Sequence, residues 1–271
     1  MYAFEFQRPT TLRQAAAMLA KAEDAKLLAG GHSLIPVMKQ RLASPAMLID
    51  LSQVPELRGV ELKGRSIVIG AMTRHRDVAE SPIVQEVMPG LAAVPASIGD
   101  PHVRNRGTIG GSIANNDPNA DYPAACLGLG ATIITNKRKI AADEFFKGLF
   151  ETALEPDEII TRVSFPITKR CGYEKFKHPA SGFALTGVFV SKRGSEVRVA
   201  VTGAGANGVF RVPQFEEALK KRFSPKSLEG LSIPADGMAS DIHASAEYRA
   251  HLVGVMARRA TAKAVANGQG A

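Results

Sequence analysis

Ala29-Gly30-Gly31-His32-Ser33 and Arg104-Asn105-Arg106-Gly107-Thr108-Ile109-Gly110-Gly111-Ser112-Ile113-Ala114-Asn115 are two glycine-rich stretches, each entered from a hydrophobic segment and each carrying small or hydroxyl residues. Glycine lets backbone N–H groups approach a phosphate with no Cβ in the way. Two such loops, far apart in sequence, can clamp the pyrophosphate of one dinucleotide from two sides. Neither matches G-x-G-x-x-G or G-x-x-x-x-G-K-[ST], so neither is a Rossmann or P-loop fingerprint. Thr108 and Ser112 offer hydroxyl donors, and Gly110 and Gly111 are expected to present N–H groups to an oxyanion.

Around the first loop, residues 1–55 read as an α/β unit. Thr11 with Gln14 makes a capping box, and Leu12, Ala15, Ala16 and Leu19 then recur at helical spacing. Residues 26–29 read as a short buried strand ending on Gly30-Gly31, Ser33 as the cap of a short helix reaching Arg41, and 47–51 as another buried strand. A glycine-rich turn between strand and helix sets a helix N-terminus, with its partial positive charge, beside the turn.

Residues 56–166 change character. Residues 59–70 read as a β-hairpin turning at Lys63-Gly64. Thr73 is expected to cap a helix running toward Glu80, and 83–98 to be helical with interruptions at Pro89 and Pro95. Beyond the second loop, 131–134 and 158–163 read as strands, with a turn at Pro156-Asp157-Glu158. Residues 167–271 read as a separate α+β unit. It has strand candidates at 172–177, 183–192 and 196–203, a turn at Arg193-Gly194, a helix at 215–223 and a long amphipathic helix at 245–266. In that last helix Leu252, Val255, Met256 and Ala260 form one stripe, while Arg258, Arg259 and Lys263 lie near the end that suits cations. The tail 267–271 is expected to be mobile.

The 271 residues suffice for one large core or two to three modest domains, and 45% hydrophobic with 22% charged residues is ordinary for a soluble globular protein. The net charge of +8 favours anionic ligands or an acidic partner surface. It does not argue for nucleic acid, because the basic clusters are short, scattered and not interleaved with aromatics. Two cysteines, Cys126 and Cys171, cannot supply an iron–sulfur cluster or an all-cysteine zinc site. Cys126 reads as an inert core residue and Cys171 as a free thiol beside charged residues. No disulfide scaffold, signal peptide or membrane span is indicated, so the expectation is a cytoplasmic protein.

The chemistry-bearing residues narrow the function further. His32, His75, His102, His178, His243 and His251 show no H-x-x-x-H or H-E-x-x-H spacing, and His32 and His102, within the ligand loops, read as hydrogen-bonding or packing groups. The carboxylates Asp117/Asp121 and Glu155/Asp157/Glu158 lie in loops and make no glycosidase-like pair. No G-x-S-x-G elbow appears, which leaves a hydrolase unsupported. Asp121 is placed either to accept hydrogen bonds from a sugar or ribityl hydroxyl or to cap the segment 122–128.

Together the two loops resemble the FAD-binding medium subunit of molybdenum hydroxylases, the carbon monoxide dehydrogenase and xanthine dehydrogenase relatives. Ile49-Asp50-Leu51, Ala114-Asn115-Asn116-Asp117-Pro118-Asn119-Ala120-Asp121, Phe183-Ala184-Leu185 and Asp241-Ile242-His243-Ala244-Ser245-Ala246-Glu247-Tyr248-Arg249 are similar to the same family, so the resemblance covers essentially the whole chain. It implies an α+β fold: a vanillyl-alcohol-oxidase-like (PCMH-type) FAD-binding domain of two α/β subdomains, 1–55 and 56–166, followed by a C-terminal α+β domain, 167–271, with a small antiparallel sheet. It also implies FAD held by Leu28, Ala29, Gly30, Gly31, His32, Ser33 and Leu34 from one side and by Gly107, Thr108, Gly110, Gly111, Ser112 and Asn115 from the other. Asp121 matches the family's flavin-contacting aspartate. Ile98 to His102 would lie near the isoalloxazine ring, flanked by Ile160, Arg162 or Val163, and Lys177 matches a lysine found at the flavin.

The implied role is an electron-transfer subunit with no acid/base machinery of its own. Molybdenum cofactor would sit on a large partner subunit and [2Fe–2S] clusters on a small one, with FAD on this chain, in a dimer of heterotrimers without nucleic acid or membrane insertion. The alternatives are a self-contained FAD-dependent small-molecule oxidoreductase of the same fold, and a flavin-free binding module. The first requires a proton donor facing the flavin, for which no constellation is seen. The second is opposed by two intact glycine loops.

Overall fold

A computed structural model describes residues 1–269 and shows three main β-sheets in succession along the chain. The first sheet is parallel, in the order β1–β3–β2, and is built from β1 (Glu5–Gln7), α1 (Leu12–Lys21), β2 (Ala25–Leu28), α2 (Leu34–Lys39) and β3 (Met47–Asp50). The Thr11 side chain accepts the Gln14 amide and so caps α1, and the helix buries Ala15 and Leu19 at the expected spacing. The capping box is displaced by one residue, however. The Gln14 side chain reaches back to Thr10 rather than to Thr11.

The second sheet is antiparallel, in the order β4–β5–β10–β6–β7, and receives most of the helices. The order along the chain is β4 (Val60–Lys63), β5 (Ser66–Gly70), α3 (His75–Ala79), α4 (Pro82–Val87), α5 (Pro89–Ala96), α6 (Pro101–Arg106), α7 (Ile109–Asn115) and α8 (Tyr122–Leu129). Then come β6 (Thr132–Thr135), β7 (Lys139–Ala141), α9 (Ala142–Phe145), the separate hairpin β8 (Phe146–Gly148) with β9 (Glu151–Thr152), and β10 (Ile160–Pro166). The β4–β5 hairpin turns at Gly64-Arg65, one residue later than expected, because Lys63 pairs with Ser66 and Gly64 takes the positive φ. Pro89 begins a helix instead of breaking one, since its missing N–H is not needed in a first turn. Thr73 does not cap α3. Its hydroxyl bonds both the amide and the carbonyl of Gly59.

The third sheet, β11–β12–β13–β14, joins β11 (Cys171–Lys177), β12 (Ala184–Arg193), β13 (Glu196–Thr202) and β14 (Phe210–Arg211), followed by α10 (Pro213–Lys221) and α11 (Ala246–Gln269). The β12–β13 turn falls at Gly194-Ser195, again one residue beyond the expected place, with Arg193 paired to Glu196. Residues 267–269 continue α11 and Asn267 donates to the Cys171 carbonyl, so this part of the tail is ordered by a hydrogen bond that the sequence does not advertise. The rest of the tail, 270–271, lies outside the described residues.

Side-chain alternation gives β11 two distinct faces. Gly172, Glu174 and Phe176 meet α11: Gly172 abuts the Ala260 backbone, Glu174 pairs with Lys263 at 2.5 Å, and Phe176 stands edge-on to Tyr248 at 6.1 Å. Tyr173 and Lys175 face the opposite way, toward α8. All eight residues of α8 are buried, since the helix is wedged between the second and third sheets. Gly128 permits this closeness, because a Cβ there would stand 2.6 Å from the Phe189 ring.

One large core therefore spans β5, β10, α8, β11 and β12, including Ile69, Val163, Phe165, Cys171, Tyr173 and Phe189. A second lies between the third sheet, α10 and α11, and a third under the first sheet reaches Met72 and Ile159. Both cysteines are free, as the sequence suggests for Cys171, and both are fully buried. Burial raises both thiols, Cys171 to about 12. Among the described residues no helix is long and apolar enough to cross a membrane.

Candidate functional site

The two glycine loops meet. A Cβ on Gly30 would collide with the Arg106 carbonyl and stand 2.7 Å from Gly107 Cα, so the loops touch backbone to backbone. Ala29 faces Gly111 across the same seam, 3.5 Å from where a Gly111 Cβ would sit. Gly31 adopts φ +78°, the left-handed conformation that favours glycine, and turns the chain from β2 into α2.

The loops divide the work unequally. In the first, Ile35 is the earliest amide to find a carbonyl, that of Gly31. Among the described residues the amides of Gly31, His32, Ser33 and Leu34 donate to no acceptor. Ser33 stands at the N-cap position without making a side-chain cap, because its backbone is already helical, so its hydroxyl is free as well. Four successive unpaired N–H groups form a cradle for an anionic oxygen.

In the second loop the expected donors are already used. Ile109 donates to the Thr73 carbonyl, Gly110 to that of Ala71 at 2.8 Å, and Gly111 to the Thr108 hydroxyl at 3.2 Å. The expectation that Gly110 and Gly111 offer amides to an oxyanion is therefore corrected. These glycines serve close packing: a Cβ on Gly110 would stand 2.6 Å from that of Ala71, and Gly111 lets Ala29 approach. Thr108 caps α7 and keeps its hydroxyl proton free, and Ser112 and Asn115 are half-buried on the same helix.

Behind Gly107 lies His75, which the sequence reading passed over. Its imidazole is 5% exposed, packs against Gly107 and tilts toward Tyr122 at 5.4 Å. Burial, with a smaller contribution from the charge of His32, lowers its pKa to about 4. Among the described residues, His75 Nδ1 and the Tyr122 hydroxyl find no hydrogen-bond partner.

The remaining predicted residues fall in two places. Ile98 is half-buried and His102 exposed, the latter bonded to Asp100 at 3.0 Å. The adjoining Gly99 rests on Ser181 and Gly182 of the loop that follows β11, which brings Lys177 at the end of that strand to the same side of the molecule. Ile160 and Val163 are buried within β10, and the Thr161 carbonyl between them accepts the Ala71 amide, one step from Gly110. Arg162 is drawn elsewhere. It pairs with Glu61 at 3.4 Å and lines a cavity of about 190 Å³ with Arg58, Gly59 and Gly70.

Asp121 is 4% exposed and neither caps α8 with its side chain nor stands open to solvent. Tyr173 donates to its Oδ1 at 2.5 Å, and Lys175 Nζ lies 2.8 Å from Oδ1 and 3.1 Å from Oδ2. Burial pushes the carboxyl up, opposed by Lys175, Tyr173 and Lys177. Lys175 and Tyr173 were not anticipated, because the alternation Lys175-Phe176-Lys177 reads as an inward Phe176 and an outward Lys175, whereas Lys175 is buried and Phe176 exposed.

These features fit a dinucleotide: a cradle of unpaired amides, a second loop held rigidly against it, and buried polar groups beyond. Comparison with known proteins agrees. The family model described as the FAD binding domain in molybdopterin dehydrogenase matches residues 2–168. The chain is 38% identical to the carbon monoxide dehydrogenase medium chain of Hydrogenophaga pseudoflava, over 95% of each chain. It is 37% identical to the nicotine 6-hydroxylase medium subunit of Paenarthrobacter nicotinovorans, over 97% of each. A chain of carbon monoxide dehydrogenase from Hydrogenophaga pseudoflava superposes with a TM-score of 0.86 at 37% identity, covering 98% of both.

Proposed function

This chain belongs to the family of FAD-binding domains of molybdopterin dehydrogenases, and from that premise we propose that it relays electrons between partner subunits and an external acceptor. It is an oxidoreductase subunit with a PCMH-type FAD-binding fold. The single observation that carries the electron-transfer reading is the junction of the two loops. There the unpaired amides of Gly31 to Leu34 lie beside the backbone of the second loop, an arrangement that suits a bound dinucleotide.

In this reading the amides of Gly31 to Leu34 and the hydroxyls of Ser33 and Thr108 hold the pyrophosphate. Gly30, Gly107, Gly110 and Gly111 bring the two backbones close enough for both to act on one ligand. Asn115 and Asp121 face the polar middle of the cofactor. Ile98, His102, Ile160 and Lys177 surround its ring system, with the apolar members excluding water. FAD, when bound, supplies one- and two-electron chemistry, and the chain orients it and tunes its surroundings.

The electron source is assigned to [2Fe–2S] clusters on a small subunit, fed by a molybdenum cofactor on a large one, in a dimer of heterotrimers. This chain has too few cysteines to hold such a cluster itself.

Affinity purification from the native host tests the proposal, with flavin, iron and molybdenum quantified and the co-purifying chains sized. FAD near one per chain, with iron and molybdenum on two other polypeptides, supports it. FAD on a lone chain without metal replaces it with a self-contained flavoenzyme. A folded sample with no flavin refutes both.

A further inference from the structure

Asp121, Tyr173 and Lys175 form a buried polar cluster between α8 and β11, respectively 4%, 2% and 7% exposed. An ammonium straddling both oxygens of a carboxylate at 2.8 and 3.1 Å is a full ion pair removed from water. Desolvating two charges costs several kcal/mol, and well-packed apolar residues of similar volume commonly do as well or better for stability. Joining α8 to the third sheet does not require it, since Gly128 against Phe189 and the Ser191 hydroxyl on the Gly128 carbonyl already do so.

The position of the cluster suggests another use. Asp121 closes the turn that follows the second glycine loop, and that turn is itself pinned to β13. Gly203 donates to the Pro118 carbonyl, and the Thr202 hydroxyl reaches the Pro118 and Ala120 carbonyls. Tyr173, Lys175 and Lys177 form one row along β11, buried at the first and exposed at the last, where the strand reaches the loop resting on Gly99. A carboxylate has about four lone-pair sites. Tyr173 and Lys175 leave Asp121 with capacity for a further donor while removing its freedom to rotate.

We propose that Tyr173 and Lys175 are positioning residues for the cofactor site, gripping both oxygens of Asp121 so that it presents a fixed anionic acceptor to a hydroxyl or N–H donor of the flavin nucleotide. This rests on the FAD-binding reading. Neither side chain touches the cofactor, and each acts through Asp121. The neighbouring groups contribute field only: Lys177 from the same strand and Tyr122 from α8.

The test uses the full chain purified with its co-purifying subunits. Tyr173→Phe, Lys175→Met, Lys175→Arg and Asp121→Asn are compared by FAD Kd, by the visible absorption envelope of the bound flavin and by thermal midpoint. Tyr173→Phe and Lys175→Met are each expected to weaken FAD roughly tenfold and to alter the flavin envelope. Asp121→Asn should add little in either background, and Lys175→Arg should restore most of the affinity.

Variants that melt earlier but keep the wild-type Kd and envelope would show a purely structural cluster and overturn the proposal. Should Lys175→Met fail to fold, Tyr173→Phe decides, because it keeps the ring and removes only the hydroxyl. A wild-type chain that binds no FAD defeats both the functional reading and this one. Unchanged variants of an FAD-binding wild type defeat this one alone.

Discussion

Gly30 has no room for a side chain, because the backbone of Arg106 and Gly107 occupies the space. Gly30→Ala must push the two loops apart, an overpacking cost of about 1–3 kcal/mol. It should lower FAD affinity at least tenfold in a fluorescence titration. Gly64→Ala is the control. Its Cβ meets nothing within 4 Å, so only the φ of +60° is penalised, by about 1 kcal/mol, and FAD binding should not change. His75 carries a pH signature. Its pKa is about 4 in the folded chain against about 6.5 when unfolded, so the unfolded state binds the extra proton in that window. Stability is thus fully present above about pH 6.5 and falls by about 3 kcal/mol as the pH drops to 4. Urea midpoints across that range should decline more steeply for the wild type than for His75→Gln. Equal slopes would assign the acid sensitivity elsewhere.

At the scale of elements, the Asn116 side chain clamps the β8–β9 hairpin from outside it. Asn116 closes α7 in a left-handed conformation, φ 43°, and donates to the Gly148 and Glu151 carbonyls at 2.7 and 2.9 Å. Its own carbonyl accepts the Phe150 amide, and Phe150 is left-handed too, φ 56°, with its ring exposed. Asn116→Gly keeps the backbone but loses both donors, a cost of about 2 kcal/mol. Asn116→Ala adds the steric penalty, for about 3 kcal/mol in all. Hydrogen exchange at the Phe150 amide should accelerate in both. Protection at the wild-type level would show that the hairpin stands without its clamp.

Elements of this kind mark the boundary of what the sequence displays. Periodicity showed α1, β3, β11, β12 and most of α11, and glycine showed where the cofactor loops turn. It did not show why each glycine is there. Gly31 frees amides, whereas Gly110 makes room for Ala71, and that difference depends on a segment distant in sequence. Asp121 likewise read only as a hydroxyl acceptor or a cap for 122–128, because Tyr173 and Lys175, which engage its carboxylate, arrive from another sheet.

For the molecule as a whole, the family match ends at residue 168 but the main core does not. Cys171, Tyr173 and Phe189 fill the same interior as Ile69, Val163 and Phe165. A fragment of residues 1–168 should therefore expose apolar surface, bind a hydrophobic dye and lack a cooperative melt, while the full chain melts cooperatively. A fragment with a native-like transition would make the C-terminal unit dispensable to the core. The burial of the thiols has a coulometric consequence. Cys126 and Cys171 are free thiols, already reduced, and burial shields them from oxidation, so neither takes up electrons beside the flavin. Reductive titration of the FAD-loaded chain, freed of its partners, should stop at the two-electron capacity of one flavin. A current integral beyond that would locate a reservoir outside the cofactor.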